Sequence, residues 1–112
     1  MNRGEVWLVN LNPTVGAEMQ KTRPVVIVSD DQVGILPLKV VVPLTDWKDW
    51  HANVAWMVQV APLPATGLSK TSAADTFQVR SVAHERFTRR LGKLDASLMR
   101  EITDALAVVL SI

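Results

Sequence analysis

Arg23, followed directly by Pro24 and an apolar run, is the side chain in this sequence best placed for phosphate chemistry. It closes the segment PTVGAEMQKTRPVVIV, in which a glycine-containing loop carries Glu18, Gln20, Lys21 and Arg23 into a strand-like stretch. A guanidinium fixed at a strand root by proline and by packing can clamp a phosphate with its fork of donors and stabilise charge developing there. The same position suits an ion pair with Glu18 or Glu5, and the segment by itself does not choose between the two. A second element, VVVPLTDW, presents the hydroxyl of Thr45 after an apolar run, where it can bond a phosphate oxygen or simply finish a turn. Other nuclease chemistries are poorly represented. His51 and His84 are the only histidines, lie far apart in no metal-ligand spacing, and read as exposed loop residues. The carboxylates Glu5, Glu18, Asp30, Asp31, Asp46, Asp49 and Asp75 are scattered, which argues against a two-metal site. The absence of cysteine excludes thiol nucleophiles, thiolate metal sites and disulfides.

These groups need a scaffold, and the apolar pattern describes one. Short runs rich in Val, Ile, Trp or Phe cover Glu5 to Asn10, Pro24 to Ser29, Lys39 to Pro43, Ala55 to Val60 and Thr76 to Val82. Pro24 can open its strand because a first position need not donate to the ladder, and Pro13 and Gly16 mark residues 11–23 as a polar loop. From Asp95, an expected N-cap, Leu98, Ile102, Ala105, Leu106 and Val109 recur at helical spacing. The pattern predicts a mainly β fold with a C-terminal helix, its antiparallel sheet strongly curved or closed into a small barrel so that edges are hidden. A chain of 112 residues with 48% hydrophobic content suits one domain over 1–112. A net charge of +1 means that any nucleic-acid site is a local patch. No apolar leader follows Met1 and no apolar run reaches membrane length, so the expectation is a cytoplasmic protein with no membrane partner.

Taken in order, RGEVWLVNLNPTVGAEMQKTRPVVIV, then VVPLT, then FQVRSVAHERF and LGKLD with a closing helix resemble the MazF/PemK/Kid toxins over nearly the whole chain. The opening RGEVW, the loop with Pro13, Gly16 and Glu18, and the Arg23-Pro24 pair are the most specific part. The resemblance implies an SH3-like barrel of the CcdB/PemK/MazF type, a homodimer, and a cognate MazE-like antitoxin whose flexible segment covers the site. It also implies a metal-independent, cofactor-free endoribonuclease that cuts single-stranded RNA sequence-specifically to 2′,3′-cyclic phosphate and 5′-hydroxyl ends, inhibiting translation. The family's catalytic arginine and threonine fall on Arg23 and Thr45.

Two departures from relatives leave the general base open: Ala17 stands where some carry histidine before the loop glutamate, and Phe77 where some carry an acid before the glutamine of the late strand. Side chains alternate along a strand, so Asp75 shares the face of Phe77 if that strand extends back, which makes Asp75 a candidate base, although a turn residue is the commoner use of such an acid. The RNA-binding candidates are Glu18, Gln20 and Lys21 in the loop, Trp50 by stacking, and Gln78 with Arg80, which share strand parity. Trp47 and Trp50 suit packing equally well, and the basic run Arg86, Arg89, Arg90 and Lys93 is equally usual on a solvated surface. The competing function within the same fold is a CcdB-like, non-catalytic DNA gyrase poison. That group acts through a tryptophan near its C-terminus, and residues Val108 to Ile112 contain none.

Overall fold

The apolar runs around Arg23 and Thr45 are almost continuous, PVVIV and KVVVPL, rather than alternating. The computed structural model, which describes all 112 residues, shows why: the central strands are buried on both faces. Its strands are β1 (Glu5–Asn10), β2 (Thr22–Ile27), β3 (Leu38–Asp46), β4 (Met57–Val60), β5 (Ser72–Asp75), β6 (Arg80–Ala83) and β7 (Phe87–Lys93), followed by the helix α1 (Ala96–Leu110). Because neighbours along a strand point to opposite faces, Val26, Val42 and Leu44 enter one core with Val6, Val58, Val60, Ile102 and Ala105. Val25, Ile27 and Val41 enter a second core with Val9, Leu11 and Val82. Asp95 caps α1 by accepting from the Leu98 N–H at 2.8 Å, and the helix buries Ile102 and Ala105 against the first core, as its apolar stripe predicts.

All strand pairs are antiparallel, in the order β4-β5-β3-β2-β1-β7, and β6 also pairs with β3. The nine-residue β3 shares one edge between two partners: Leu38–Val41 pairs with β6, and Leu44–Asp46 with β5. The 3₁₀ turn Thr76–Gln78 lies between these partners, so the single strand expected over Thr76 to Val82 is instead broken into this turn followed by the short strand β6, with β5 ending just before it. The break removes the basis for placing Gln78 and Arg80, or Asp75 and Phe77, on one strand face. Strand β2 begins at Thr22 and β3 continues to Asp46, so Arg23 and Thr45 are strand residues rather than flanking ones, and Pro24 lies inside its strand. The basic run after Arg86 forms β7, a strand that its many charges conceal in the sequence.

The sheet curls, because β6 at one end and β7 at the other are separated only by the 3₁₀ turn His84–Arg86. Of the two forms expected, the strongly curved sheet is the one observed: β6 and β7 do not pair with each other, and the sheet remains open rather than closing into a barrel. A loop protects the β7 edge instead, with the Lys93 N–H donating to the Ala65 carbonyl at 2.8 Å. Glycines make this approach possible. A Cβ on Gly92 would lie 2.3 Å from the Ala65 oxygen, and one on Gly67, whose φ is +71°, 2.0 Å from the Leu91 oxygen.

Gly92→Ala should therefore lower unfolding free energy by about 2 kcal/mol or more, since backbone rather than a yielding side chain is in the way. Gly16→Ala, with positive φ but open space around it, should cost only about 1 kcal/mol. Urea denaturation of the two variants distinguishes them, and equal midpoints would show that the loop is not tightly seated on β7.

Candidate active site

Strand register brings Arg23 and Thr45 together. In the β2/β3 pair Val25 faces Pro43, so the same register carried on through Pro24 sets Arg23 opposite Thr45. The Arg23 Nη1 lies 3.5 Å from the Thr45 Oγ1, and its Nε donates to the Gln20 carbonyl at 2.8 Å. Arg23 has no carboxylate partner. Glu5, one of its expected partners, instead pairs with Arg90 at 3.6 Å and with the N-terminal ammonium at 3.6 Å, and Glu18 accepts from the Val15 N–H at 2.6 Å. The guanidinium is thus oriented by a backbone carbonyl and a hydroxyl, which leave most of its donors free.

Arg23 and Thr45 line a cleft of about 410 Å³ together with Lys21, Asp46, Lys70 and Arg89. Four cations face one carboxylate, Asp46, which Lys70 meets at 3.6 Å on an exposed surface. This is the local patch that a net charge of +1 requires for a polyanion site. Of the arginines in the basic run only Arg89 reaches it. Arg90 is paired with Glu5, while Arg86 donates to the carbonyls of Asn10 and Asn12 and ties down the start of the loop. Lys70 carries no signal in the sequence, because nothing in its segment predicts that the loop before β5 returns to β3.

The remaining candidates gather in an adjoining cleft, also about 410 Å³, lined by Leu11, Ala17, Glu18, Met19, Pro43, Phe77, Gln78, Val79 and Arg80. Gln78 and Arg80 act here first on the protein itself. The Gln78 Oε1 accepts from the Met19 N–H at 2.6 Å, its Nε2 donates to the Ala17 carbonyl at 3.4 Å, and the Arg80 Nη1 donates to the Leu11 carbonyl at 3.2 Å. The loop so held supplies the Gln20 carbonyl that orients Arg23.

Asp75 is buried at the end of β5, caps the following turn by accepting from the Phe77 N–H at 3.1 Å, and lines neither cleft. Burial pushes its carboxyl above the ordinary range, and hydrogen bonds from Phe77 and the Gln78 amide and the charge of His51 only partly offset this. His51, expected to be exposed, is buried: its Nδ1 accepts from the Lys48 N–H at 3.0 Å, and its ring meets Trp50 at 4.2 Å and Trp47 at 5.4 Å. His84 is half-buried against Phe87, with ring centroids 6.3 Å apart. Trp50 is 60% exposed on the 3₁₀ turn Asp49–Asn53 but lines neither cleft. No group of three or more His, Asp or Glu side chains is arranged to hold a metal ion.

The curled antiparallel sheet with its single C-terminal helix is a fold shared with known MazF toxins. Its backbone superimposes on the crystal structure of MazF from Deinococcus radiodurans with a TM-score of 0.79 at 21% identity, covering 100% of this chain and 97% of that one. A mycobacterial endoribonuclease solved with its cognate antitoxin gives a TM-score of 0.79 at 20% identity, covering 100% and 96% of the two chains. The sequence is 32% identical to endoribonuclease MazF9 of Mycobacterium tuberculosis, over 100% of this chain and 98% of that one. It is 34% identical to endoribonuclease PemK of Escherichia coli, over 99% and 83%. Residues 2–110 match the family described as PemK-like, MazF-like toxin of type II toxin-antitoxin system, and the chain belongs to that family.

Gln78→Ala should speed hydrogen exchange at the Met19 amide by about tenfold, the effect of removing one protecting hydrogen bond, with little change in melting temperature. Unchanged exchange would mean that the loop holds its shape without Gln78. For Asp75, a folded-state pKa above the unfolded one makes the ionised form the costly one, so stability is highest below the unfolded value and declines as pH rises through the folded value. Asp75→Asn should flatten that decline in thermal melts taken as pH rises above the ordinary aspartate value of about 4. A variant as pH-dependent as the parent would assign the decline to another group.

Proposed function

We propose that this toxin is an endoribonuclease that cuts single-stranded RNA at the Arg23–Thr45 pair, working in the cytoplasm as a single domain over 1–112. The observation that carries this reading is the contact of an arginine lacking any acidic partner with a threonine hydroxyl, 3.5 Å apart in a cationic cleft. In the reaction the ribose 2′-oxygen forms a bond to phosphorus, the bond to the 5′-oxygen breaks, and the products are a 2′,3′-cyclic phosphate and a 5′-hydroxyl. Negative charge grows on the non-bridging oxygens as the new bond forms. Arg23 stabilises that charge and Thr45 donates a hydrogen bond to it, while Lys21, Lys70 and Arg89 hold flanking phosphates. Arginine stays protonated and is a poor base, so stabilisation rather than proton abstraction is the role that suits it. Asp75, buried and hydrogen-bonded away from the cleft, suits the positioning of Gln78 better than the role of base. The reaction needs no metal or cofactor.

The assembly that fits is a homodimer restrained by a MazE-like antitoxin. Exposed apolar side chains support a protein interface: Val33, Ile35 and Leu36 between β2 and β3, and Val108, Leu110 and Ile112 at the end of α1. Relatives from Deinococcus radiodurans are solved as MazE-MazF complexes.

Digestion of a defined single-stranded RNA in excess chelator, with cut positions and end groups mapped, tests the chemistry. Cleavage should persist and leave cyclic phosphate ends; activity that vanishes and returns with Mg²⁺ would overturn the mechanism. Arg23→Ala should slow cutting by about 10²- to 10³-fold, and Thr45→Ala strongly, with neither unfolding the domain. A folded Arg23→Ala protein cutting at the parental rate would remove Arg23 from the reaction. A specific dimer should bury at least about 1,000 Å² in total, and sedimentation showing only a 12.4 kDa species at micromolar concentration would count against it.

A further inference from the structure

The structure assigns the cleft beside the Arg23–Thr45 pair, lined by Phe77 and Pro43, as a pocket for one unpaired nucleobase next to the scissile phosphate, with Phe77 the side chain that selects it. The assignment rests on the endoribonuclease reading and specifies which residues choose the sequence. Phe77 is 69% exposed, an unusual place for a large apolar ring with no structural task there. It is nevertheless held in place. Its ring meets that of Trp56, itself 38% exposed, edge-on with centroids 6.1 Å apart. Between them the fully buried Thr76 donates to the Trp56 carbonyl from its backbone N–H at 3.2 Å and from its hydroxyl at 2.7 Å. Asp75 fixes the Phe77 N–H. An aromatic face that is already ordered loses little conformational freedom when a base stacks on it.

The rest of the cleft has the composition of a small-ligand site, with apolar walls and a few polar groups. Leu11, Met19, Pro43 and Val79 supply the walls, and about 410 Å³ admits a base. Arg80 bonds the Leu11 carbonyl through one nitrogen and has no carboxylate partner. Glu18 binds the Val15 N–H through one oxygen and leaves the other free. A base edge, carrying donors and acceptors side by side, satisfies both groups, whereas the apolar side chain of a bound peptide would leave both unpaired. The position of the cleft agrees with this occupant: Pro43 and Thr45 share one face of β3, so a strand clamped at its phosphate by Thr45 and Arg23 brings the neighbouring base to Pro43.

The test maps cut positions in a randomised single-stranded RNA for the full-length protein, Phe77→Ala, Phe77→Trp and Ala17→Phe, the last narrowing the pocket from another wall. Affinities are measured for a 2′-O-methyl oligonucleotide of the preferred sequence, which cannot be cut. Phe77→Ala should weaken that affinity by about 5- to 150-fold and erase base preference at one position near the cut while preserving preference elsewhere. Phe77→Trp should retain both, and Ala17→Phe should lose preference at the same position. Unchanged affinity and preference in Phe77→Ala would overturn the pocket while leaving the nuclease standing. An equal fall at all sequences would also overturn it, as would a change confined to dimer formation or peptide binding. A parent that binds the oligonucleotide with base preference yet cuts no RNA would do the opposite, sinking the nuclease and keeping the pocket.

Discussion

The pairing of Val25 with Pro43 governs everything that the site does. A strand has a side-chain period of two, so a one-residue slip between β2 and β3 would turn Arg23 and Thr45 to opposite faces. The slip is opposed by burial on both sides of the sheet, with Val26, Val42 and Leu44 in one core and Val25, Ile27 and Val41 in the other. Apolar area, rather than polar contact among the functional groups, thus holds the register. Arg23 is therefore free of the acidic partner that would otherwise be needed to hold it.

The second constraint is electrostatic. With 12 basic and 11 acidic side chains the chain cannot draw RNA by its overall field. It separates charge by pairing instead. Glu5 answers Arg90 and the N-terminus, and the Trp7 indole donates to it at 2.9 Å; burial raises its pKa, but these partners outweigh burial and hold the carboxyl below its ordinary range. Arg86 is satisfied by carbonyls. Lys21, Arg23 and Arg89, none of which has an acidic partner, gather around Thr45.

How much of this is legible in the sequence depends on how local each signal is. The helix is readable because Asp95 and the stripe from Leu98 to Val109 are adjacent in the chain, and β1 because its apolar pattern stands alone. Arg23 and Thr45 are readable as candidates, and through the family resemblance as a pair, though their contact depends on a register that spacing alone does not supply. β7 is hidden because an edge strand protected by Arg89, Arg90 and Lys93 resembles a charged surface run. The break at Thr76 is hidden because Val79 and Val82 continue a strand-like composition across it. His51 reads as exposed because a polar loop gives no sign that two indoles will enclose one of its members.

That break at Thr76–Gln78 separates two kinds of inheritance. Every residue of β3 from Leu44 to Asp46 and from Leu38 to Val41 is committed to a ladder, and a change of length there would disturb the register that aligns Arg23 with Thr45. Thr76 to Val79 belong to no ladder. Phe77, the exposed side chain among them, can be exchanged while the strands on either side keep their partners and the register of β2 on β3 is untouched, so the surface beside Arg23 and Thr45 is free to vary from one descendant to the next.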